Sequence, residues 1–561
     1  MAKITGSCIL IRKMFRQVLR LSPVKVFIRS FSKSQDVHVA PLFEYARNFE
    51  HKVAIYDQNG KHTFGSIYEK ARSLSAQIAK KLGSGNNERV LFLCPNNVNY
   101  VVVLWGIWMA GHTAVPLSHL HPENVLHYYV RDTNSKLLIA TPGYEAVIKP
   151  VAEQNQTKLH IVKHESSFAN HDQTFAAISE NDNNAFILYT SGTTGNPKGV
   201  VHTHRNVWVQ TKTLVDAWKW SPEDVILHTL PLHHVHGTVC ALFGPLFSGA
   251  STVMMPRFSP DVVWDHLLGN KGQKITVFMA VPTIYSKLID EFEKTYKSNK
   301  EYIRSYLKNN VRLMVSGSAP LPVPLYEKWY EITGHRLLER YGMTEMGICL
   351  SNEYDSNREP GYVGVPLPGV SIRLADSNDN HKILLECYND GEKLKFCKPI
   401  TEDFSGALLV KGANVFKEYY NKPEATKKEF TEDGWFITGD TCQYSHEKMK
   451  FKILGRTSVD IIKSGGYKIS ALQIETKLLA HPEIKDIAVV GLKDATWGEK
   501  IAALVVLEEN SNLTLDGLRQ WASEYLPKYS LPTVLKTVEV IPKNAMGKVN
   551  KKELIKEVFD K

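Results

Sequence analysis

From about residue 85 onward, short apolar runs alternate with amphipathic stretches. Apolar runs at 89–94, 113–117 and 136–140 predict strands. Between them, 99–110 and 123–132 predict helices, the first apolar enough to be buried on every side. Further strand candidates are 185–189, 225–230, 251–255, 275–280 and 312–315. Strands that alternate with helices predict an α/β architecture with largely parallel sheets. Residues 376–404 are polar and irregular and read as a surface hairpin or loop. After Gly455 the pattern starts afresh, with strands at 483–491 and 501–507 and a helix at 515–525. The expected organisation is a large multi-sheet N-terminal domain over 36–455 and a small α+β C-terminal domain over 456–561.

Length and composition fit this reading. At ~100–200 residues per domain, 561 residues predict two to four domains, or one large domain and a smaller one. Apolar residues make up 43% and charged residues 22%, which excludes a disordered or collagen-like chain. No uncharged apolar run reaches the ~18 residues of a membrane span. The seven cysteines are scattered and form no CxxC pair, which argues against a disulfide framework and a structural zinc site.

The net charge of +10 is concentrated at one end. Residues 1–35 hold eight basic residues (Lys3, Arg12, Lys13, Arg16, Arg20, Lys25, Arg29 and Lys33) and no acidic one, so the rest of the chain carries only +2. That leaves no electrostatic case for nucleic-acid binding. On a helical wheel Ile11, Met14, Phe15, Val18, Leu19 and Leu21 share one side, and Arg12, Lys13, Arg16 and Arg20 the other. A basic, acid-free amphipathic helix predicts a mitochondrial (matrix) presequence over 1–35, cleaved after Phe31.

The most informative stretch is Tyr189-Thr190-Ser191-Gly192-Thr193-Thr194-Gly195-Asn196-Pro197-Lys198-Gly199, directly after a predicted strand. Glycines let backbone N–H groups approach phosphate oxygens, hydroxyls donate further bonds, and the lysine adds charge. A polar surface turn needs only one or two such residues. The pattern is not GxxxxGK[ST], because Gly199 follows Lys198, so a P-loop NTPase is disfavoured.

This loop resembles the phosphate loop of the adenylate-forming superfamily of acyl-CoA synthetases, adenylation domains and luciferases. The resemblance continues in order through Pro231-Leu232-His233-His234, Ser316-Gly317-Ser318-Ala319-Pro320, Tyr341-Gly342-Met343-Thr344-Glu345, Gly434 to Asp440, Gly455-Arg456, Gly466-Tyr467 and Pro542 to Lys548. It implies a small C-terminal domain that is mobile, jointed near 456–460. It also implies two reactions: a carboxylate attacks the α-phosphate of ATP, and a thiol then displaces AMP from the acyl-adenylate.

Charge that develops on phosphate needs fixed donors and cations. The resemblance assigns Thr190, Ser191, Gly192, Thr193, Thr194, Gly195 and Lys198 to the β- and γ-phosphates, Thr344 to the α-phosphate and Glu345 to Mg2+. Ser318, Ala319, Pro320 and Tyr341 would line the adenine slot, with Asp440 and Arg456 at the ribose. Lys548, on its residues alone a solvated lysine, becomes the cation that serves adenylation and is then carried away by domain rotation. His234 would lie near the reacting carboxylate. His233 and His236 raise the idea of a metal cluster, but His-His-x-His on a strand-to-loop stretch alternates faces and has no acidic partner nearby. Gly465 and Gly466 would let the backbone approach the pantetheine arm of coenzyme A. The segment between Arg456 and Gly466 is one residue longer than the common pattern, and Asp460 is preferred to Ser458 as the hinge.

The acid itself is read from the stretch 281–287. A cation in the first turn of a helix after an apolar strand suits a dicarboxylate, although on the residues alone Lys287 is more simply a surface lysine. Glu339 to Glu345, Ser316 to Ala319, His234 to Gly237 and Ile462 to Tyr467 together resemble malonyl-CoA synthetases. That resemblance implies malonate as substrate, with Lys287, Ser318 and His236 at its distal carboxylate. Bacterial members carry Arg where Lys287 stands; a point charge grips more loosely than a planar fork, which extends the expectation to methylmalonate. Arg312 is a second cation candidate, read as structural. The alternative substrate is a monocarboxylic acid, medium-chain or aryl.

Overall fold

The computed structural model describes residues 39–162, 183–190, 196–376, 379–543 and 549–559. The basic segment 1–35, the loop residues 191–195 and Lys548 lie outside them.

Two large sheets and a buried helix between them build the N-terminal part. One is seven-stranded. In it Asn184–Thr190, Thr113–Pro116, Arg89–Leu93, Leu137–Ala140 and Lys158–Ile161 run parallel, in that spatial order. The other is nine-stranded. Its parallel part runs Leu338–Met343, Leu313–Ser316, Val277–Ala280, Val225–His228, Ser251–Met254 and Val53–Asp57. The helix Val98–Met109 touches Val53–Asp57 on one side and Thr113–Pro116 on the other. Its valines are poor helix formers, and burial on every side overrides that preference. The Asn97 carboxamide caps its first turn, accepting from the Asn99 N–H at 3.0 Å. The Trp108 indole donates to the Ala185 carbonyl at 2.6 Å, fixing the helix to the seven-stranded sheet.

A third sheet departs from the expected parallel architecture. It has six strands, all antiparallel, and includes Ser371–Asp376, Phe404–Lys411, Phe436–Ser445 and Lys450–Arg456. The polar region 376–404 contributes the paired strands Asp379–Asn389 and Leu394–Phe396, so the hairpin reading holds and the loop reading does not. The C-terminal part has its own five-stranded sheet and its own cores, drawn from residues between Ile462 and Leu554. Most predicted elements appear within a few residues of their expected bounds. Among the described residues no helix is long and apolar enough to cross a membrane, and six cysteines are free.

Candidate functional site

The phosphate-loop candidates sit at a hairpin. Thr190 ends one strand, Lys198 begins its antiparallel partner, and the two are register partners. Lys198 turns its ammonium 4.5 Å from the Tyr419 ring centroid and 3.4 Å from Glu429. Tyr419 in turn donates to Glu345 at 2.8 Å. Lys198, read as phosphate-binding, and Glu345, read as Mg2+-binding, are thereby brought together around one tyrosine. Burial raises the Glu345 pKa, the Tyr419 hydroxyl opposes that shift, and the carboxyl is 6% exposed. A carboxylate in this state gains most from a divalent cation that also binds phosphate oxygens. His202 donates to the Thr344 carbonyl at 2.7 Å from a ring that burial keeps neutral, which fixes the turn carrying Thr344 and Glu345.

Register also assembles the second group. Asp440 and Arg456 face each other across paired strands, with Arg456 Nε 3.0 Å from Asp440 Oδ1. Tyr341 donates its hydroxyl to the other carboxylate oxygen. Tyr341, read from the sequence as lining the adenine slot, therefore touches the pair read as ribose-binding. Gly342 beside it is forced: a Cβ there would sit 2.0 Å from the Gly347 carbonyl oxygen. Gly465 and Gly466 both have positive φ and close the turn between Ile461–Ser464 and Tyr467–Ser470. A two-residue turn with positive φ at both positions favours glycine at each.

The acyl region overturns one expectation. Lys287 lies on the helix Pro282–Glu291, whose buried residues are Pro282, Tyr285 and Leu288. Those positions turn inward, and at 100° per residue Lys287 stands 200° from Tyr285, on the outer face. It is exposed, with its ammonium 6.0 Å from the Phe258 ring centroid. It does not reach Ser318. Arg312 is structural as expected: it forks onto both Asp224 oxygens at 2.7 Å and donates to the Trp218 carbonyl.

The cation near Ser318 is Arg340, quoted in the motif but not singled out for this role. It is 4% exposed, and its Nε and Nη2 are buried without a hydrogen-bond partner among the described residues. Its guanidinium lies against Gly317, where a Cβ would be 2.6 Å from Cζ and from Nε. The next residue, Ser318, has φ +72°, a left-handed conformation that is rare outside glycine. Ser318 Oγ lies 3.1 Å from His236 Nδ1, while His236 Nε2 is also buried without a partner among the described residues. His236 is the first residue of a π-helix, His236–Phe243, not part of a strand-to-loop stretch as expected. Burial first, and then the Arg340 charge, keep its pKa well below the ordinary histidine value. His234 packs on His233 at 4.1 Å between ring centroids, half-buried at the preceding turn. An isolated buried guanidinium is costly and calls for an anion. The signal that sequence reasoning could have used is an arginine placed between Glu339 and Tyr341 inside a quoted motif.

Residues 42–420 match the AMP-binding enzyme family, and residues 473–548 match the AMP-binding enzyme C-terminal domain. The chain belongs to the AMP-binding enzyme family. Among similar members, the mitochondrial malonate–CoA ligase ACSF3 of Mus musculus is 46% identical over 530 residues, 92% of this chain and 91% of that protein. Its Homo sapiens counterpart is 45% identical over 533 residues, with 92% of each chain covered. ATP-bound MatB from Rhodopseudomonas palustris superposes with a TM-score of 0.77 at 31% identity, covering 93% of this chain and 99% of that one. This AMP-binding enzyme thus shares its fold and its two-part organisation with CoA ligases.

Proposed function

We propose that this enzyme joins malonate to coenzyme A in two steps, releasing pyrophosphate and then AMP. The observation that carries the choice of acid is the unpartnered Arg340 guanidinium beside Ser318 and His236. One malonate carboxylate neutralises Arg340 and accepts from Ser318 or from His236 Nε2–H. The other is left to attack the α-phosphorus of ATP. A monocarboxylic tail in the same place leaves the guanidinium unmatched, which disfavours the alternative. The names of the similar ligases support the same acid. Methylmalonate adds one methyl group to the same pair of carboxylates and is a second substrate in this reading.

In the first step Thr190, Lys198 and the loop 191–195 hold the β- and γ-phosphates, and Thr344 bonds the α-phosphate. Glu345 is the residue that would hold Mg2+, which spreads the negative charge of the phosphates when bound. Asp440 and Arg456 receive the ribose hydroxyls, with Ser318, Ala319, Pro320 and Tyr341 beside the base. His234 borders the reacting carboxylate. Lys548 supplies the adenylating cation from a mobile C-terminal domain over 456–561, and Gly465 and Gly466 meet coenzyme A after it rotates. Residues 1–35 direct the enzyme to the mitochondrial matrix, as the naming of its relatives supports. The test is AMP release from ATP with coenzyme A, across malonate, methylmalonate, succinate, butyrate and benzoate. Malonate ranks first if the reading holds; equal or better use of butyrate or benzoate overturns it.

A further inference from the structure

The helix Lys551–Val558 opens on a lysine that turns inward. Lys551 is 7% exposed, and its ammonium lies 2.5 Å from Asp460 Oδ1 and 2.8 Å from Glu475 Oε1. A cation is disfavoured at a helix N-terminus, and an ammonium buried in an ion pair adds little over an apolar side chain. The two carboxylates are nevertheless arranged to receive it. Each is also bound to a backbone amide elsewhere. Asp460 Oδ2 accepts the Arg456 N–H at 2.9 Å, and Glu475 Oε1 accepts the Val489 N–H at 2.7 Å. The Asp460 carbonyl accepts the Ala471 N–H at 2.7 Å.

One ammonium therefore fastens together the turn that follows Arg456, the helix Ala471–Leu478, the strand Ile484–Asp494 and the C-terminal helix. In the reading of the family resemblance, this turn is the joint between the two parts of the chain. It begins at Arg456, whose side chain pairs with Asp440 in the candidate nucleotide site. Gly455 makes room for this arrangement: a Cβ there would meet Asp460 Cβ at 2.5 Å.

We propose that Lys551 is a positioning residue for adenylation, pegging the segment that carries Lys548 to the joint at Asp460. The proposal rests on the reading of Lys548 as the adenylating lysine. Only Val549 and Asn550 lie between the two lysines, a reach of at most about 11 Å. Asp460, preferred as the hinge on sequence, then moves with the C-terminal domain instead, and rotation occurs within 456–459. The Arg456 N–H to Asp460 bond is the contact that this rotation breaks while the ammonium stays paired.

The test separates the half-reactions in Lys551→Met and Lys551→Arg, using whichever acid the wild type activates best. Pyrophosphate release reports adenylation, and AMP release from preformed acyl-adenylate and coenzyme A reports thioester formation. Misplacing a catalytic group by about 1 Å can cost about 10²-fold. Lys551→Met is expected to lose about that much in adenylation kcat, with the ATP KM little changed and thioester formation nearly intact. Lys551→Arg is expected to recover most of the loss. Equal loss in both half-reactions with no rescue by arginine, or unimpaired adenylation in Lys551→Met, overturns the proposal. Should Lys551→Met fail to fold, Asp460→Asn keeps the shape and removes the charge, and the same split is expected. Lys548→Ala run alongside distinguishes the two readings: full adenylation there refutes the role of Lys548, whereas a loss there with no split in Lys551→Met refutes only the peg.

Discussion

Replacing Arg340 by methionine tests the substrate reading most directly, because it predicts opposite effects on activity and on stability. In the free protein the guanidinium is 4% exposed, and two of its nitrogens lack a partner among the described residues. Methionine keeps much of the side chain's length and removes the unmet charge, so the ligand-free melting temperature is expected to stay level or rise. With malonate bound the balance reverses. The distal carboxylate then lies buried with only Ser318 and His236 to meet it. Truncating one member of a desolvated charge pair costs about 2–5 kcal/mol, or about 30- to 5,000-fold in kcat/KM. Butyrate, which offers a methyl group there, loses nothing from the change and gains from the relief. The assay is the malonate-to-butyrate ratio of kcat/KM for wild type and Arg340→Met, with thermal melts of both. Lys287→Met is the control, and its outward position predicts an unchanged ratio. An unchanged ratio in Arg340→Met, or a steep fall in melting temperature with loss on both acids, would refute the reasoning.

Lys548→Ala is expected to lose about 10²–10³-fold in adenylation while largely sparing thioester formation from preformed adenylate, as measured in separate half-reactions. Glu339 is 7% exposed, accepts the Gly361 N–H at 2.7 Å, and is pushed by burial up to about 8. Between about pH 4.5 and 8 the unfolded chain has released a proton that the folded chain keeps, so this residue's contribution to stability is lost as pH rises through that window. Glu339→Gln, melted from pH 5 to 8.5, is therefore expected to gain on wild type as pH rises; a pH-independent difference excludes the effect. Residues 1–40 fused to a reporter are expected to carry it into mitochondria, and a cytosolic reporter counts against the presequence.

Legibility in the sequence followed the range of the interactions. The parallel strands were readable because both faces are buried, which leaves near-continuous apolar runs such as Val277–Ala280 and Leu137–Ala140. The antiparallel sheet was not. In Asp379–Asn389 the apolar side chains are interrupted by charged ones, and the strand resembles a polar loop until its partners Ser371–Asp376 and Leu394–Phe396 are in place. The ordered motifs singled out Asp440, Arg456, Tyr341, Glu345 and Lys198, and the fold gathers them into two groups, the first three around the Asp440 carboxylate and the other two around Tyr419.

Lys287 and Arg340 show where that legibility stops. Both are cations near a motif, and the resemblance favours Lys287, although on the residues alone it reads as a surface lysine. The burial pattern of its helix decides against it, since Pro282, Tyr285 and Leu288 claim the inner face. Arg340 lies in the buried half of its strand, beside Leu338, where an arginine contradicts the burial around it. Local contradictions of this kind are expected at functional sites. The fold holds it there at a cost: Gly317 gives up its side chain to make room, Ser318 adopts a left-handed backbone, and donors on Arg340 and His236 are left unmet. Each of these features destabilises the free enzyme, and one carboxylate placed between Arg340, Ser318 and His236 relieves the charge and the unmet donors together.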